Sequence, residues 1–254
     1  MFFLLQITDR DHRDIVPVNI AETVPIKGVT ETSFVDWPGK IVSVIFSPGC
    51  NFRCPFCQNV DLLVNSNLLP TIPVAHVLQR LAEFKGWIDG VCITGGEPTI
   101  HESLPEFITL LRKKNWLVKL DTNGSNPQML EMLLKDTMID CIAMDVKAPL
   151  DPLPYSRAIG VSADLEKIRK SIELIQSSSI EVIFRMTVVP GMISEEDIYR
   201  VAKDLYPAKK FVLQQFSPEN PLDHRLKKVS PWPQEQLERV QHAVNQILQK
   251  PGGG

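Results

Sequence analysis

The sequence has no excess of charge of either sign and no long apolar run. Its 254 residues include 27 Lys and Arg against 30 Asp and Glu, a formal net charge of −3. Nucleic acids and anionic membranes are normally bound through a basic surplus, so we expect neither as a partner. No segment approaches the roughly 20 apolar residues of a membrane span, and the apolar start at residues 1–5 is shorter than a signal-peptide core. These features predict a cytoplasmic protein.

Cysteine is scarce and unevenly placed. There are five cysteines, and three of them, Cys50, Cys54 and Cys57, lie close together, whereas Cys92 and Cys141 stand apart. An odd number crowded in this way is unsuited to a disulfide framework. It is typical of a metal site in a reducing compartment.

Six short apolar or β-branched runs predict buried strands, because they are continuous rather than alternating. They are residues 41–46, 91–94, 116–120, 139–144, 180–189 and 211–216. Helical patterns lie between them: one begins behind a Ser162 cap, one has Ser194 and Asp197 as a capping box, and the last is entered through Pro233. This alternation predicts an α/β fold, a partial (β/α)6 TIM-like barrel, with a doubly wound open sheet as the alternative.

The same patterns predict how the chain is divided. We expect an N-terminal extension at residues 1–25, the barrel at 26–228, a C-terminal helix at 229–250 and a flexible tail at 251–254. The boundary before the last helix is placed at a proline-rich stretch, and the tail has a glycine-rich composition typical of flexible chain ends.

Each predicted strand ends in a polar or glycine-containing segment. These segments are Ser47–Cys50, Gly95–Pro98, Asp121–Gly124, Asp145–Lys147, Pro190–Gly191 and Gln214–Pro218, and the fifth strand also carries Arg185. The carboxyl ends of strands in parallel barrels and sheets build the ligand site. The sequence therefore predicts that all six segments meet at one mouth.

The loop at residues 50–57 spaces three thiols at offsets of four and three. One loop with this spacing can bind three corners of an iron–sulfur cube, whose ligands are cysteine thiolates. Cys92 and Cys141 lie inside predicted strands, which leaves one iron open to a ligand that brings its own donor atoms. The alternative is a zinc site completed by a histidine. It is disfavoured because zinc loops usually pair C-x2-C elements and no histidine lies beside this loop.

The cysteine loop, with Phe56 before its third cysteine, resembles the signature of radical S-adenosylmethionine enzymes. Gly95-Gly96-Glu97 is similar to the GGE element of that superfamily. The segments Asp36–Lys40, Asp121–Gly124, Asp145–Lys147 and Val188–Gly191, the last with Arg185, resemble the activating enzymes of glycyl radical enzymes, above all the form that serves anaerobic ribonucleotide reductase. Two positions depart from the pattern: Gln58 replaces a usual histidine, and Trp37 stands where related activases often have glycine.

The resemblance implies a role for each of these residues. Cys50, Cys54 and Cys57 would hold a catalytic [4Fe–4S] cluster, and S-adenosylmethionine would bind its open iron. Asp121, Thr122 and Asp145 would surround a monovalent cation beside the methionine carboxylate. The residues expected to bind the cofactor are Phe56, Gly95, Gly96, Glu97, Asp121, Thr122, Asn123, Asp145, Lys147 and Arg185.

Other interpretations of these residues stay open. Asp121 and Asp145 could cap turns, Arg185 could form a structural ion pair, and Lys147 could serve either the cofactor or a partner peptide.

The implied reaction is reductive cleavage of S-adenosylmethionine to a 5′-deoxyadenosyl radical, which removes a hydrogen atom from a glycine of the partner enzyme. A flavodoxin or ferredoxin would donate the electron. The alternatives are a radical enzyme that acts on a small molecule and a non-catalytic iron–sulfur or zinc protein.

Overall fold

The computed structural model describes residues 24–249. The expected tail at 251–254 and all but the last two residues of the expected N-terminal extension lie outside this range. Within it, seven strands form one sheet in which the spatial order follows the chain. The strands are β1 Gly28–Ser33, β2 Val42–Ser47, β3 Gly90–Gly95, β4 Leu117–Thr122, β5 Cys141–Asp145, β6 Glu181–Val188 and β7 Phe211–Gln215.

The sheet is a partial barrel. Strands β2 to β7 pair in parallel, each with the next, and β1 pairs antiparallel with β2. The six predicted strands and the partial-barrel fold are confirmed. Strand β1 was not predicted, because Gly28–Ser33 carries glycine, threonine, serine and glutamate in place of an apolar run.

Within the described range, seven α-helices fill the crossovers between the parallel strands, and an eighth follows β7. The crossover helices are α1 Val60–Val64, α2 Val74–Glu83, α3 Leu104–Arg112, α4 Pro127–Lys135, α5 Pro152–Ile159, α6 Leu165–Gln176 and α7 Glu195–Asp204, and the last helix is α8 Gln234–Gln249. The predicted capping box of Ser194 and Asp197 is confirmed at the start of α7. The predicted Ser162 cap is wrong: Asp164 directly precedes the first turn of α6 and accepts the backbone N–H of Lys167 at 3.3 Å. No helix among residues 24–249 is long and apolar enough to span a membrane.

Hydrophobic side chains fill the inside of the barrel at the amino ends of its parallel strands. Trp37, from the connection between β1 and β2, is 1% exposed and donates its indole N–H to Glu181 at the start of β6, with 2.9 Å between Nε1 and Oε2. Around it lies an inner core formed by Val42, Val44, Cys92, Cys141, Ala143 and Ile183. This packing closes the lumen at the end of the barrel opposite the carboxyl ends of the strands.

The C-terminal helix α8 covers the outer edge of β7. It buries Leu237, Val240 and Val244, and the side-chain amide of Gln241 pairs with the strand backbone. Its Nε2 donates to the carbonyl of Phe211 at 2.8 Å, and its Oε1 accepts the N–H of Leu213 at 2.7 Å. The expected division of the chain at residue 229 stays a prediction.

Candidate cofactor site

The cysteine loop follows β2 and is fixed by backbone hydrogen bonds from several sides. The N–H of Glu97, after β3, donates to the carbonyl of Gly49 at 2.8 Å. The N–H of Arg53 donates to the carbonyl of Ile159, at the end of α5, at 2.8 Å. The N–H of Leu222, in the segment after β7, donates to the carbonyl of Cys57 at 3.1 Å. The backbone that carries the three thiols is therefore held at both ends and in the middle.

Gly95 and Gly96 are required because β3 ends against the loop backbone. A Cβ at Gly96 would lie 1.6 Å from the carbonyl oxygen of Gly49, and a Cβ at Gly95 would lie 2.3 Å from that of Ser47. Gly95 also has a φ of +118°, a conformation that side chains disfavour. Besides the role expected for them at the cofactor, these glycines seat the segment that leads into Cys50.

Glu97 joins the carboxyl end of β3 to that of β4. Its side chain is fully buried. Oε1 accepts the hydroxyls of Thr99 at 2.6 Å and Thr122 at 2.7 Å, and Oε2 accepts the N–H of Asn123 at 2.6 Å. Burial raises the pKa of this carboxyl although its hydrogen bonds oppose the shift. The carboxylate therefore points into the protein and organises the two strand ends.

The three thiols of the loop are free of disulfides, and Cys54 is the most buried of them. The sulfur of Cys50 accepts the N–H of Phe52 at 3.4 Å and the side-chain amide of Asn123 at 3.7 Å. Burial raises the pKa of Cys50 to about 12 and that of Cys54 to about 11. In the metal-free protein these groups are neutral thiols, so metal binding must release their protons.

The donor set fits a [4Fe–4S] cluster that has one open iron. Three thiols share one fixed loop, whereas the other two cysteines are fully buried in β3 and β5 inside the barrel. In the part of the chain that the structure describes, no three His, Cys, Asp or Glu side chains lie close enough to hold a single metal ion. A cluster needs a thiolate on each of three separate irons.

A row of alternating charges crosses the mouth of the barrel beside this loop. Asp121 pairs with Lys119 through Oδ1, and its Oδ2 lies 3.0 Å from Nη1 of Arg185. The Nε of Arg185 lies 2.9 Å from Oδ1 of Asp145, whose Oδ2 lies 3.1 Å from Nζ of Lys147. Strand register explains the arrangement, because Asp145 of β5 pairs directly with Arg185 of β6. The structure thus brings Asp121 and Asp145 together with Arg185 between them.

Of the interpretations left open for Arg185, the structure shows the ion pair. Burial alone raises the pKa of Asp145, but Arg185 and Lys147 outweigh burial and lower it to about 2. A monovalent cation at Asp121 and Asp145 would have to share their oxygens with Arg185, and the hydroxyl of Thr122 is already bonded to Glu97. The cation site stays a prediction.

The row carries one surplus positive charge, because three cations face two carboxylates. Its outer end is Lys147, whose ammonium lies 5.9 Å from the centre of the Phe56 ring in the cysteine loop. An anionic group of a ligand is electrostatically favoured at this end. Phe56 and Lys147, both predicted to bind the cofactor, therefore stand side by side.

Lys119 is the residue of this row that was not predicted from the sequence. Its side chain is 1% exposed, and Nζ lies 3.6 Å from the sulfur of Cys92, its neighbour in the β3–β4 register. The available signal was its spacing two residues before Asp121, which places both side chains on one face of β4.

The model of the Radical SAM superfamily matches residues 44–205. The chain belongs to the radical SAM superfamily. Membership assigns its cofactors, because these enzymes use a [4Fe–4S] cluster and S-adenosylmethionine.

Curated relatives resemble this radical SAM chain over most of its length. A Methanocaldococcus jannaschii protein, provisionally named a glycyl-radical enzyme activating enzyme, is 33% identical over 83% of this chain and 87% of its own length. The pyruvate formate-lyase-activating enzyme of Clostridium pasteurianum is 25% identical over 88% and 98%, respectively. A Methanococcus aeolicus protein, provisionally named a GTP 3′,8-cyclase, is 27% identical over 74% of this chain and 62% of its own length.

Solved structures share the fold. Streptococcus suis SuiB bound to S-adenosylmethionine has a TM-score of 0.63 at 19% identity, over 81% of this chain and 47% of that structure. The coproporphyrinogen III oxidase of Escherichia coli has a TM-score of 0.55 at 14% identity, over 81% and 51%. The chain spans about half the length of these two structures, which support its partial-barrel fold.

Proposed function

We propose that this radical SAM protein installs a glycyl radical on a partner enzyme. The observation that carries the proposal is the extent of the similarity. Two of the activating enzymes, those described above, are matched over 87% and 98% of their own lengths, whereas the Methanococcus aeolicus protein is matched over 62%. The chain thus corresponds to nearly the whole of these two activases but to only part of that cyclase, which has further sequence outside the match.

The filled barrel supports a substrate that approaches from outside. Trp37 and the inner core occupy the amino end of the lumen, and Lys119 lies buried beneath Asp121. A substrate must therefore reach the cofactor at the carboxyl ends of the strands or through the open side of the barrel. A glycine on an extended loop suits such a site, because its backbone can approach closely without a side chain.

In this proposal Cys50, Cys54 and Cys57 hold the cluster. The cationic end of the charge row, at Lys147, attracts the carboxylate of the methionine group, and Phe56 lies on the same side for the adenine. When bound, the cluster supplies one electron and S-adenosylmethionine supplies the carbon radical that removes a hydrogen atom from glycine. The protein orients these groups and excludes water from them.

The proposal extends to the partner and the electron donor. The resemblance of Asp36–Lys40 and Asp121–Gly124 to activases of anaerobic ribonucleotide reductase supports that enzyme as the partner. A low-potential flavodoxin or ferredoxin would supply the electron.

The deciding experiment mixes the reconstituted protein anaerobically with a candidate anaerobic ribonucleotide reductase, a reductant and S-adenosylmethionine. We expect a doublet paramagnetic signal on the reductase, and no signal when the radical-site glycine of the reductase is alanine. The Cys54→Ser variant is the matched control, because a neutral hydroxyl is a poor iron ligand. Rapid 5′-deoxyadenosine release with GTP, together with no signal on any partner, would assign the protein to small-molecule chemistry instead.

The metal itself is tested by analysis of the anaerobically reconstituted protein. We expect about four irons and four sulfides per chain, as in a [4Fe–4S] cluster. One tightly bound zinc in their place would contradict the proposal at its first step.

The cation at Asp121 and Asp145 has a separate test. If a monovalent ion joins these carboxylates to the methionine carboxylate, Asp121→Ala should weaken S-adenosylmethionine binding while the iron content persists. Affinity should also change when sodium replaces potassium. If the affinity for S-adenosylmethionine changes neither in Asp121→Ala nor with the choice of sodium or potassium, Arg185 is the sole cation between the two aspartates.

A further inference from the structure

The amide of Asn123 points at a sulfur of the cysteine loop. Its Nδ2 lies 3.7 Å from Sγ of Cys50 and 3.0 Å from Oδ1 of Asn51. The same sulfur accepts the backbone N–H of Phe52 at 3.4 Å. Cys50 therefore receives one hydrogen bond from its own loop and a second from the end of β4.

A closed ring of hydrogen bonds fixes the orientation of this amide. Oδ1 of Asn123 accepts the backbone N–H of Ser125 at 2.9 Å, and Nδ2 of Asn51 donates to the hydroxyl of Ser125 at 2.7 Å. Because a backbone N–H can only donate, the atom that faces it must be the amide oxygen. The NH2 group of Asn123 is therefore turned toward Cys50.

The position of Asn123 is fixed as well. Its backbone N–H is bonded to the buried carboxylate of Glu97 at 2.6 Å, and the residue is 6% exposed. Glu97 in turn donates its own N–H to Gly49, the residue before Cys50. The amide and the sulfur are thus held on one connected framework and cannot separate freely.

A hydrogen bond to a ligating sulfur stabilises the more negative, reduced state of an iron–sulfur cluster, and so raises its reduction potential. We propose that Asn123 is a positioning residue that sets the reduction potential of the cluster through its N–H···S bond to Cys50. This inference rests on the proposed assignment of Cys50 as a cluster ligand. The step concerned is uptake of one electron by the bound cluster from the external donor, with no bond made or broken in the protein.

The test is a redox titration of the reconstituted full-length protein, followed by electron paramagnetic resonance without S-adenosylmethionine. Asn123→Asp keeps the acceptor for Ser125 but removes both N–H groups, and Asn123→Leu has a similar shape without polar atoms. The matched control is Ser125→Ala, which keeps the backbone N–H that orients Asn123 and removes only the hydroxyl.

In Asn123→Leu we expect the one-electron reduction equilibrium to become about 3- to 10-fold less favourable, the range of one hydrogen bond. Asn123→Asp also places a negative charge beside the cluster, so its reduction should become less favourable still. Tenfold corresponds to about 59 mV for a one-electron couple. The Ser125→Ala potential should equal that of the wild type. A hyperfine coupling to an exchangeable proton at the reduced cluster should weaken in the variants and persist in the control.

The outcomes separate this inference from the proposed function. If wild-type protein binds no iron–sulfur cluster, the proposed function fails first. If the wild type is reduced and cleaves S-adenosylmethionine, but both variants keep full iron and an unchanged potential, only the role of Asn123 is refuted. A failure of both variants to take up iron would also overturn this inference. Asn123 would then be needed for assembly of the cluster and would not act by setting its reduction potential.

Discussion

A methyl group at Gly96 should remove the iron–sulfur site. The Cβ of Gly96→Ala would lie 1.6 Å from the carbonyl oxygen of Gly49, whereas non-bonded heavy atoms rest at about 3.5 Å. The two backbones must therefore separate by roughly 2 Å. Two hydrogen bonds hold these backbones together. The N–H of Gly96 donates to the carbonyl of Ser47 at 2.9 Å, and the N–H of Glu97 donates to the carbonyl of Gly49 at 2.8 Å.

The cost follows from this clash. Overpacking a rigid core typically costs 1–3 kcal/mol, and here backbone meets backbone with no flexible side chain to yield. We expect Gly96→Ala to lose at least about 3 kcal/mol of unfolding free energy. Because Gly49 precedes Cys50 directly, the displaced loop should also fail to bind the cluster.

Two measurements check this prediction: iron per chain after anaerobic reconstitution, and the free energy of unfolding in urea. Gly28→Ala is the matched control, because its Cβ would meet nothing closer than the Phe46 ring at 3.4 Å, an ordinary contact. A Gly96→Ala protein with full iron and wild-type stability would show that β3 does not approach the loop closely enough for the methyl group to displace it.

Other substitutions test the interior of the barrel. Lys119→Met should lower the free energy of unfolding in urea by about 3–5 kcal/mol, because it removes one of the two cations that pair with the buried Asp121. A loss below about 1 kcal/mol would contradict this prediction. Cys92→Ala and Cys141→Ala should keep full iron content and cost about 1–3 kcal/mol, whereas loss of iron would reveal a fourth ligand. The lowered pKa of Asp145, about 2, adds stability that is complete above pH 4 and lost as the pH falls through 2. Between pH 4 and pH 2 the free energy of unfolding of the wild type should therefore fall by about 2 kcal/mol more than that of Asp145→Asn.

The parallel strands were predictable because burial on both faces demands continuous apolar runs. Strand β1 was not, because its pairing with β2 depends on backbone hydrogen bonds at the sheet edge rather than on apolar side chains. The start of α6 shows a related limit. Ser162 and Asp164 are both good caps, and only the position of the first helical residue decides between them.

The candidate site was predictable as a set of segments but not as a set of contacts. The strand ends drew attention to Glu97 and Asn123, yet nothing in their spacing indicates that the Glu97 carboxylate turns inward to bond Asn123. Arg185 inside an apolar strand called for a partner. Its partners proved to be Asp145, which the β5–β6 register places beside it, and Asp121 on β4, and both contacts depend on tertiary pairing of the strands.

Gln241 has a consequence for how the protein behaves in a crowded solution. An incomplete barrel leaves terminal strands, and a strand with unpaired backbone groups is a template on which another chain can add. On β7 the amide of Gln241 occupies the carbonyl of Phe211 and the N–H of Leu213, the groups that an incoming strand would need. The barrel can thus stay open for a substrate while this edge resists polymerisation, and Gln241→Leu should promote self-association without altering the cysteine loop.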